Sequence, residues 1–170
     1  VVLLPEDRRN QGAITGMSIR ENVTLTDLPR YRRRSGLPFP SRARETTATN
    51  RQVTDLSIKV GSIEDPVGWL SGGNQQKVVL GKWLARQPGV LILDEPTRGI
   101  DVGAKSEIYA LIDRLAGEGV AILMISSDLE EILNMSDRVL VLHEGRLAGE
   151  LPRSQLGEEA VMTLATGGGG

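Results

Sequence analysis

Two short apolar runs, Val90-Leu91-Ile92-Leu93 and Val120 to Ile125, constrain this chain more than any other feature. Both have strand length and neither alternates apolar with polar residues, which is the pattern of strands covered on both faces in a parallel sheet. Between them lies a helical stripe of Ile108, Leu111, Ile112 and Leu115, closed by Gly117 and Gly119. Strand, helix, strand and then a further helix is the order of an α/β protein with a parallel core. No apolar run approaches the ~20 residues of a membrane span, and Val1-Val-Leu-Leu-Pro-Glu-Asp-Arg8 lacks the charged and apolar regions of a signal peptide, so neither is expected.

The remaining elements follow from local signals. Val1 to Leu4 reads as a short buried strand cut off by Pro5, with a polar turn from Glu6 to Gly12. Ser18-x-x-Glu21 is a capping box that predicts a helix to about Thr26. Pro29 to Arg51, with Pro29, Pro38, Pro40 and Arg32-Arg33-Arg34, breaks the pattern and is expected to be mostly loop, followed by weakly helical sequence to about Val60. Ser71-Gly72-Gly73 opens a helix with Val79, Leu80, Trp83 and Leu84 on one face, stopped by Pro88. Ser127-x-x-Glu130 is a second capping box, for a short helix from Asp128 to Asn134. Val139–Leu142 and Arg146–Leu151 form a hairpin, and Glu158 to Ala165 a last helix.

Composition removes several kinds of chemistry. With no cysteine there is no disulfide, Cys-ligated zinc, iron–sulfur cluster or thiol nucleophile, and with His143 as the one histidine there is no multi-His metal site. Aromatics at 3% argue against a base-stacking surface for nucleic acid. The net charge of −2 conceals an asymmetry: ten arginines against five acids in residues 1–52, and ten basic residues against seventeen acids thereafter. The basic front third is open to two readings, a phosphate or acidic contact and a solvated polar face.

Two places carry candidate chemistry. Asp94 and Glu95 stand at the carboxyl end of a buried strand, where open α/β sheets bind ligands. A carboxylate there can reach Mg²⁺ or its water shell without bending the sheet, leaving the neighbouring Glu95 to orient and deprotonate a water. Ser71-Gly72-Gly73-Asn74-Gln75 leaves backbone N–H groups exposed at the positive end of the following helix, an arrangement suited to an anion. Each alone is equally compatible with a plain structural role, a chance strand end in one case and an N-cap with a tight turn in the other.

Their order is more specific. Leu70 to Gln75, Leu91-Ile-Leu-Asp-Glu-Pro96, Thr97-Arg-Gly-Ile-Asp101 and a strand ending in Ser126-Ser127-Asp128 resemble the back half of an ABC-transporter ATPase cassette. Pro5-Glu-Asp-Arg8, Gly16-Met-Ser-Ile-Arg-Glu-Asn22, Ser71 to Val79 and Glu95 to Lys105 look like the second cassette of the tandem ATP-binding subunits of monosaccharide importers, a likeness running from Val1 to about Thr166. The resemblance implies a P-loop NTPase fold of the ABC-ATPase type, its parallel-strand core joined to a helical subdomain. It divides the chain into a Q-loop-like and helical part (1–70), a signature-to-hairpin part (71–151) and a C-terminal helix with glycine tail (152–170). It implies ATP and Mg²⁺ as cofactors, with Asp94 at the metal, Glu95 and Ser127 catalytic, and Glu6, Ser71, Gly72, Gly73, Asn74, Gln75 and Asp101 at the nucleotide. Implied partners are transmembrane permease subunits, the other cassette and, indirectly, an external sugar-binding protein. The implied location is the cytoplasmic face of the membrane, with no nucleic acid.

The departures from that pattern are informative. No Gly-x-x-x-x-Gly-Lys-Ser/Thr occurs, so the phosphate cradle is missing; the sequence is expected to be an amino-terminally truncated piece of a longer polypeptide, inactive when isolated. Glu6 stands at what looks like the Q-loop glutamine, Asn74 replaces the usual signature glutamine, and Ser127 stands at the switch histidine. Ser127 is shorter and carries no positive charge, so a site built on Asp94 and Glu95 is doubtful as a hydrolytic centre, and Ser127 is expected to act mainly as a helix cap. The resemblance implies a division of labour in which Ser71 to Asn74 serve a nucleotide held by the other cassette. His143, in the hairpin, is expected to be a surface turn residue. Two rivals stay open: a soluble ABC ATPase contacting nucleic acid through Arg30–Arg44, and a non-catalytic interaction module.

Overall fold

The run Val90–Asp94 is strand β2, the centre of a three-stranded parallel sheet. It pairs with β1 (Val2–Leu4) on one side and β3 (Ala121–Ile125) on the other, in a register that aligns Leu3, Ile92 and Leu123. The computed structural model describes residues 1–32 and 39–168, apart from the Arg9 side chain. Pro38 and the Arg33-Arg34 part of the arginine run therefore lie outside the described residues. The chain forms two compact units, Val1–Ile125 and Ser126–Gly170.

In the first unit one face of the sheet is closed and the other is not. Leu4, Leu91 and Leu93 are fully buried, whereas Leu3, Leu123 and Ile125 on the opposite face are about half exposed. The expectation of strands buried on both faces thus holds for one face only. A continuous apolar run records that both faces are fit for burial, and it cannot say which of them is covered.

The Ser18 capping box forms as expected. Its hydroxyl accepts from the Glu21 N–H, the Glu21 carboxylate accepts from the Ser18 N–H, and helix α1 (Ile19–Thr24) follows. It ends two residues before the expected Thr26 and passes into a 3₁₀ segment, Leu25–Tyr31. The polar turn after β1 winds as one π-helical turn, Arg8–Gly12, closed by the Ala13 N–H on the Arg8 carbonyl at 2.8 Å.

The stretch expected to be mostly loop instead holds a 14-residue helix, α2 (Arg42–Asp55). It was illegible because its inward face is polar. The buried Glu45 carboxylate accepts from Arg20 Nη1 at 3.2 Å and Thr24 Oγ1 at 2.9 Å. Arg20, also buried, donates to Glu64 at 2.8 Å. The carboxylates on Arg20 push its guanidinium pKa up, and the Arg20 hydrogen bond holds Glu64 below the ordinary carboxylate range.

Helix α3 (Gly72–Leu84) packs on α1 and on α4 (Val102–Gly117). Buried polar groups tie it in place. Lys77 Nζ donates to Glu107 of α4 at 2.6 Å and to the Ser57 carbonyl at 3.1 Å, and Lys82 Nζ donates to the Gly12 carbonyl at 2.9 Å. Burial pushes the Lys82 ammonium pKa down.

The second unit pairs β4 (Arg138–His143) with β5 (Arg146–Pro152) and packs Val139 and Val141 against Val161 of α6 (Glu158–Ala165). Leu129, Ile132 and Leu133 of α5 (Leu129–Met135) join that core. Two expectations are corrected here. The N-cap of α5 is Asp128, not Ser127, with the Asp128 carboxylate accepting from the Glu130 and Glu131 N–H groups at 3.1 and 3.3 Å. His143 is no surface turn residue: it ends β4, half-buried, with Nδ1 2.7 Å from the Ala165 carbonyl oxygen.

Candidate functional site

Asp94 and Glu95 leave the sheet at the carboxyl end of β2, where the strand has delivered both acids half-buried. The Glu95 N–H still donates to the Ile125 carbonyl at 2.9 Å, yet its φ is +47°, in the left-handed region. A non-glycine residue there carries backbone strain of order 1 kcal/mol. The turn that follows is closed by Arg98 N–H on the Glu95 carbonyl at 3.1 Å, and Pro96 and Thr97 are buried beneath it. The turn therefore aims the Glu95 side chain from a fixed backbone.

The loop runs on to Asp101, whose carboxylate caps α4 by accepting the Ala104 N–H at 2.9 Å. Glu6, just past the carboxyl end of β1, pairs with the Arg98 guanidinium of this loop.

The Ser71–Gln75 segment begins α3, and only part of it faces outward. Ser71 is exposed and makes no side-chain cap bond; its hydroxyl instead accepts from Asn74 Nδ2 at 3.0 Å. Asn74 Oδ1 accepts the Lys59 N–H at 2.9 Å, which fixes the amide orientation. Gly72 and Asn74 are partly exposed, whereas Gly73 and Gln75 are buried. Gln75 Nε2 donates to the Leu70 carbonyl at 2.9 Å, and Gly73 lies against Ala104. The outward part of the motif is thus Ser71, Gly72 and Asn74, with the first-turn N–H groups of α3 behind them.

The two elements meet. A Cβ placed on Gly72 would come 3.4 Å from the Gly99 carbonyl oxygen and 2.9 Å from Arg8 Nη2, so the start of α3 touches the loop leading from Glu95 to Asp101. Ser127, the remaining expected site residue, belongs to the second unit. Arg8 and Lys77 were not singled out from the sequence. Both lie in segments that carry the resemblance, Pro5–Arg8 and Ser71–Val79, but nothing in their spacing assigned either a role.

As a metal site the arrangement is partial. Among the described residues no cluster of three or more metal-ligating side chains exists. One hard carboxylate at a strand end, Asp94, does fit Mg²⁺, which is bound through one or two carboxylates together with substrate phosphates and water.

A family model described as ABC transporter matches residues 3–98. The chain is 58% identical over 167 residues to a ribose import ATP-binding protein of Rubrobacter xylanophilus, covering 98% of this chain and 32% of that protein. It is 55% identical over 168 residues to a xylose import ATP-binding protein of Moorella thermoacetica, covering 99% and 32%. The chain thus spans about a third of the length of these curated relatives. In fold it is similar to a dimeric ATP-binding cassette in a post-hydrolysis state bound to ADP and phosphate, with TM-score 0.71, 20% identity and coverage of 89% of this chain and 62% of that one. A nucleotide-free ATP-binding cassette from an ABC transporter gives TM-score 0.73 at 20% identity, covering 96% and 64%. No helix among the described residues is long and apolar enough to cross a membrane.

Proposed function

Because the chain belongs to the ABC transporter family, we propose that it is the signature-bearing part of an ATP-hydrolysing subunit that drives monosaccharide import. The ribose and xylose import roles of these relatives support this reading for the whole polypeptide. In it, the subunit sits at the cytoplasmic face of the membrane against permease subunits, beside another cassette, and an external sugar-binding protein delivers the substrate to the permease.

Ser71, Gly72 and Asn74 present a hydroxyl, an amide side chain and the first-turn N–H groups of α3 to the terminal phosphate of an ATP held by the other cassette. In this reading Asp94 would hold Mg²⁺, which when bound neutralises phosphate charge. In the same reading Glu95, on its strained turn, would orient a water and take its proton. In this reading the Asp94–Glu95 site contributes little hydrolysis, and the productive site is the one Ser71 serves. The sequence carries no P-loop motif, and in this reading the isolated chain is therefore expected not to hydrolyse ATP by itself.

The observation that carries this reading is the contact at Gly72, which sets an open helix N-terminus against the loop that follows the strand-end acids. The test compares two variants of the full-length polypeptide. Ser71→Arg fills the anion cradle and abolishes sugar uptake and ATPase activity, whereas Glu95→Gln reduces both only in part. Equal losses in the two variants contradict the assignment.

A further inference from the structure

Arg8 has no part in the chemistry above, yet it occupies the junction on which that chemistry depends. From the π-helical turn after β1 its Nη1 donates to the Arg98 carbonyl at 2.8 Å and its Nη2 to the Gly99 carbonyl at 3.2 Å. Gly99 has φ +66°, a left-handed conformation that lets two successive carbonyls turn toward one guanidinium. On its other side Nη2 lies under Gly72, where a Cβ would stand only 2.9 Å away. Glu6 and Arg98 pair across the same junction.

The charge at this point is not what helix stability asks for. A helix N-terminus favours acids, but the first turn of α3 contains none, and the group packed against Gly72 is a cation. A positive charge there opposes the helix dipole, so stabilising α3 does not account for its position. Two carbonyls accepting from one planar fork also set an angle, which a single ammonium cannot do.

We propose that Arg8 is a positioning residue that locks the Arg98–Gly99 backbone against Gly72, so that the first turn of α3 and the Glu95–Asp101 loop are held at one fixed separation. The proposal rests on the reading of Ser71–Asn74 as a phosphate contact. Arg8 acts on the rate of the chemical step through the placement of those groups, and not on nucleotide affinity, which the other cassette supplies.

The test is steady-state ATP hydrolysis by the full-length polypeptide assembled with its permease. Arg8→Gln is expected to lower kcat about tenfold or more while KM for ATP stays within about twofold, because small misplacements of a binding group fall on the transition state. Arg8→Lys keeps the charge and loses the fork, so it does not rescue. Gly72→Ala, which pushes a methyl against Nη2, lowers kcat in the Arg8 background and has a smaller effect in an Arg8→Ala background, a non-additivity diagnostic of contact. Wild-type kcat in Arg8→Lys, or strictly additive effects of the two substitutions, overturns the proposal. If Ser71→Arg abolishes hydrolysis while the Arg8 variants leave it unchanged, this inference alone falls; if Ser71→Arg is also silent, the phosphate reading itself is wrong.

Discussion

Gly73 of α3 and Ala104 of α4 meet with no room for a side chain between them: a Cβ on Gly73 would stand 2.6 Å from the Ala104 Cβ and 3.5 Å from Ile100 Cγ2. The two adjacent glycines of the motif therefore have different reasons to be glycine. Gly72 faces the junction with Arg8 and Gly99, and Gly73 lets two helices approach. Gly73→Ala is expected to destabilise the chain by about 1–3 kcal/mol through overpacking. Ala104→Gly in the same chain should recover part of that loss, offset by the ~1 kcal/mol that glycine costs inside a helix. Denaturant midpoints of the single and double variants check this, and a Gly73→Ala chain as stable as wild type would contradict the packing account.

How much was legible in the sequence depends on the kind of burial. Apolar runs placed β2 and β3, and the 3.6-residue stripe placed α4, because those elements bury carbon. Helix α2 buries Glu45 and Thr49, so no hydrophobic period marked it, and it is the distant Arg20 and Thr24 that explain why a carboxylate can lie inside. The outward and inward halves of Ser71–Gln75 were likewise inseparable, since a glycine needed for an anion and one needed for a helix contact read the same. Asp94, Glu95 and Ser71 lie where the motif order put them, on a strand end and at a helix start. The Gly72–Gly99–Arg8 junction joins residues up to 91 positions apart and left no trace in spacing.

Glu107 shows how acid should act on the fold. Its carboxylate accepts from Lys77 Nζ, which is 3% exposed, and that hydrogen bond with the adjacent charge holds Glu107 below the ordinary glutamate range. Lys59, more exposed, adds a weaker contact at 3.5 Å. With its pKa lowered on folding, Glu107 binds fewer protons in the folded chain than in the unfolded one. The stability it contributes is present above the unfolded value of ~4.3 and is lost as pH falls through that value toward the lower folded one. Glu64 on Arg20, and Glu21 on the Ser18 N–H and hydroxyl, act in the same direction. Glu107→Gln is expected to lower stability at neutral pH by about 1–3 kcal/mol, since Lys77 keeps only the Ser57 carbonyl and a neutral amide. It should also flatten the decline below about pH 4.5. Urea titrations of both chains at neutral and acid pH check the sign; parallel curves would show that the Lys77 contact is not what lowers Glu107.

The start of α5 supplies the last prediction. Ser127-x-x-Glu130 has the letters of a capping box, but the helix starts one residue later than that reading requires. The Asp128 carboxylate receives both the Glu130 and Glu131 N–H groups, while the Asp128 N–H donates to Ser126 Oγ at 3.0 Å. A charged acceptor at the N-cap satisfies two first-turn donors and complements the positive helix end, and in a helix of seven residues those terminal bonds are a large share of the total. Asp128→Ala is expected to cost about 0.5–2 kcal/mol, and Asp128→Asn, which keeps the acceptor and loses the charge, less than that. The loss should be local, raising amide hydrogen exchange in Leu129–Met135 and in the Val139–Val141 strand that its Leu129, Ile132 and Leu133 help to bury, with exchange in β1 and β2 unchanged. An Asp128→Ala chain with wild-type exchange in α5 would return the capping role to Ser127.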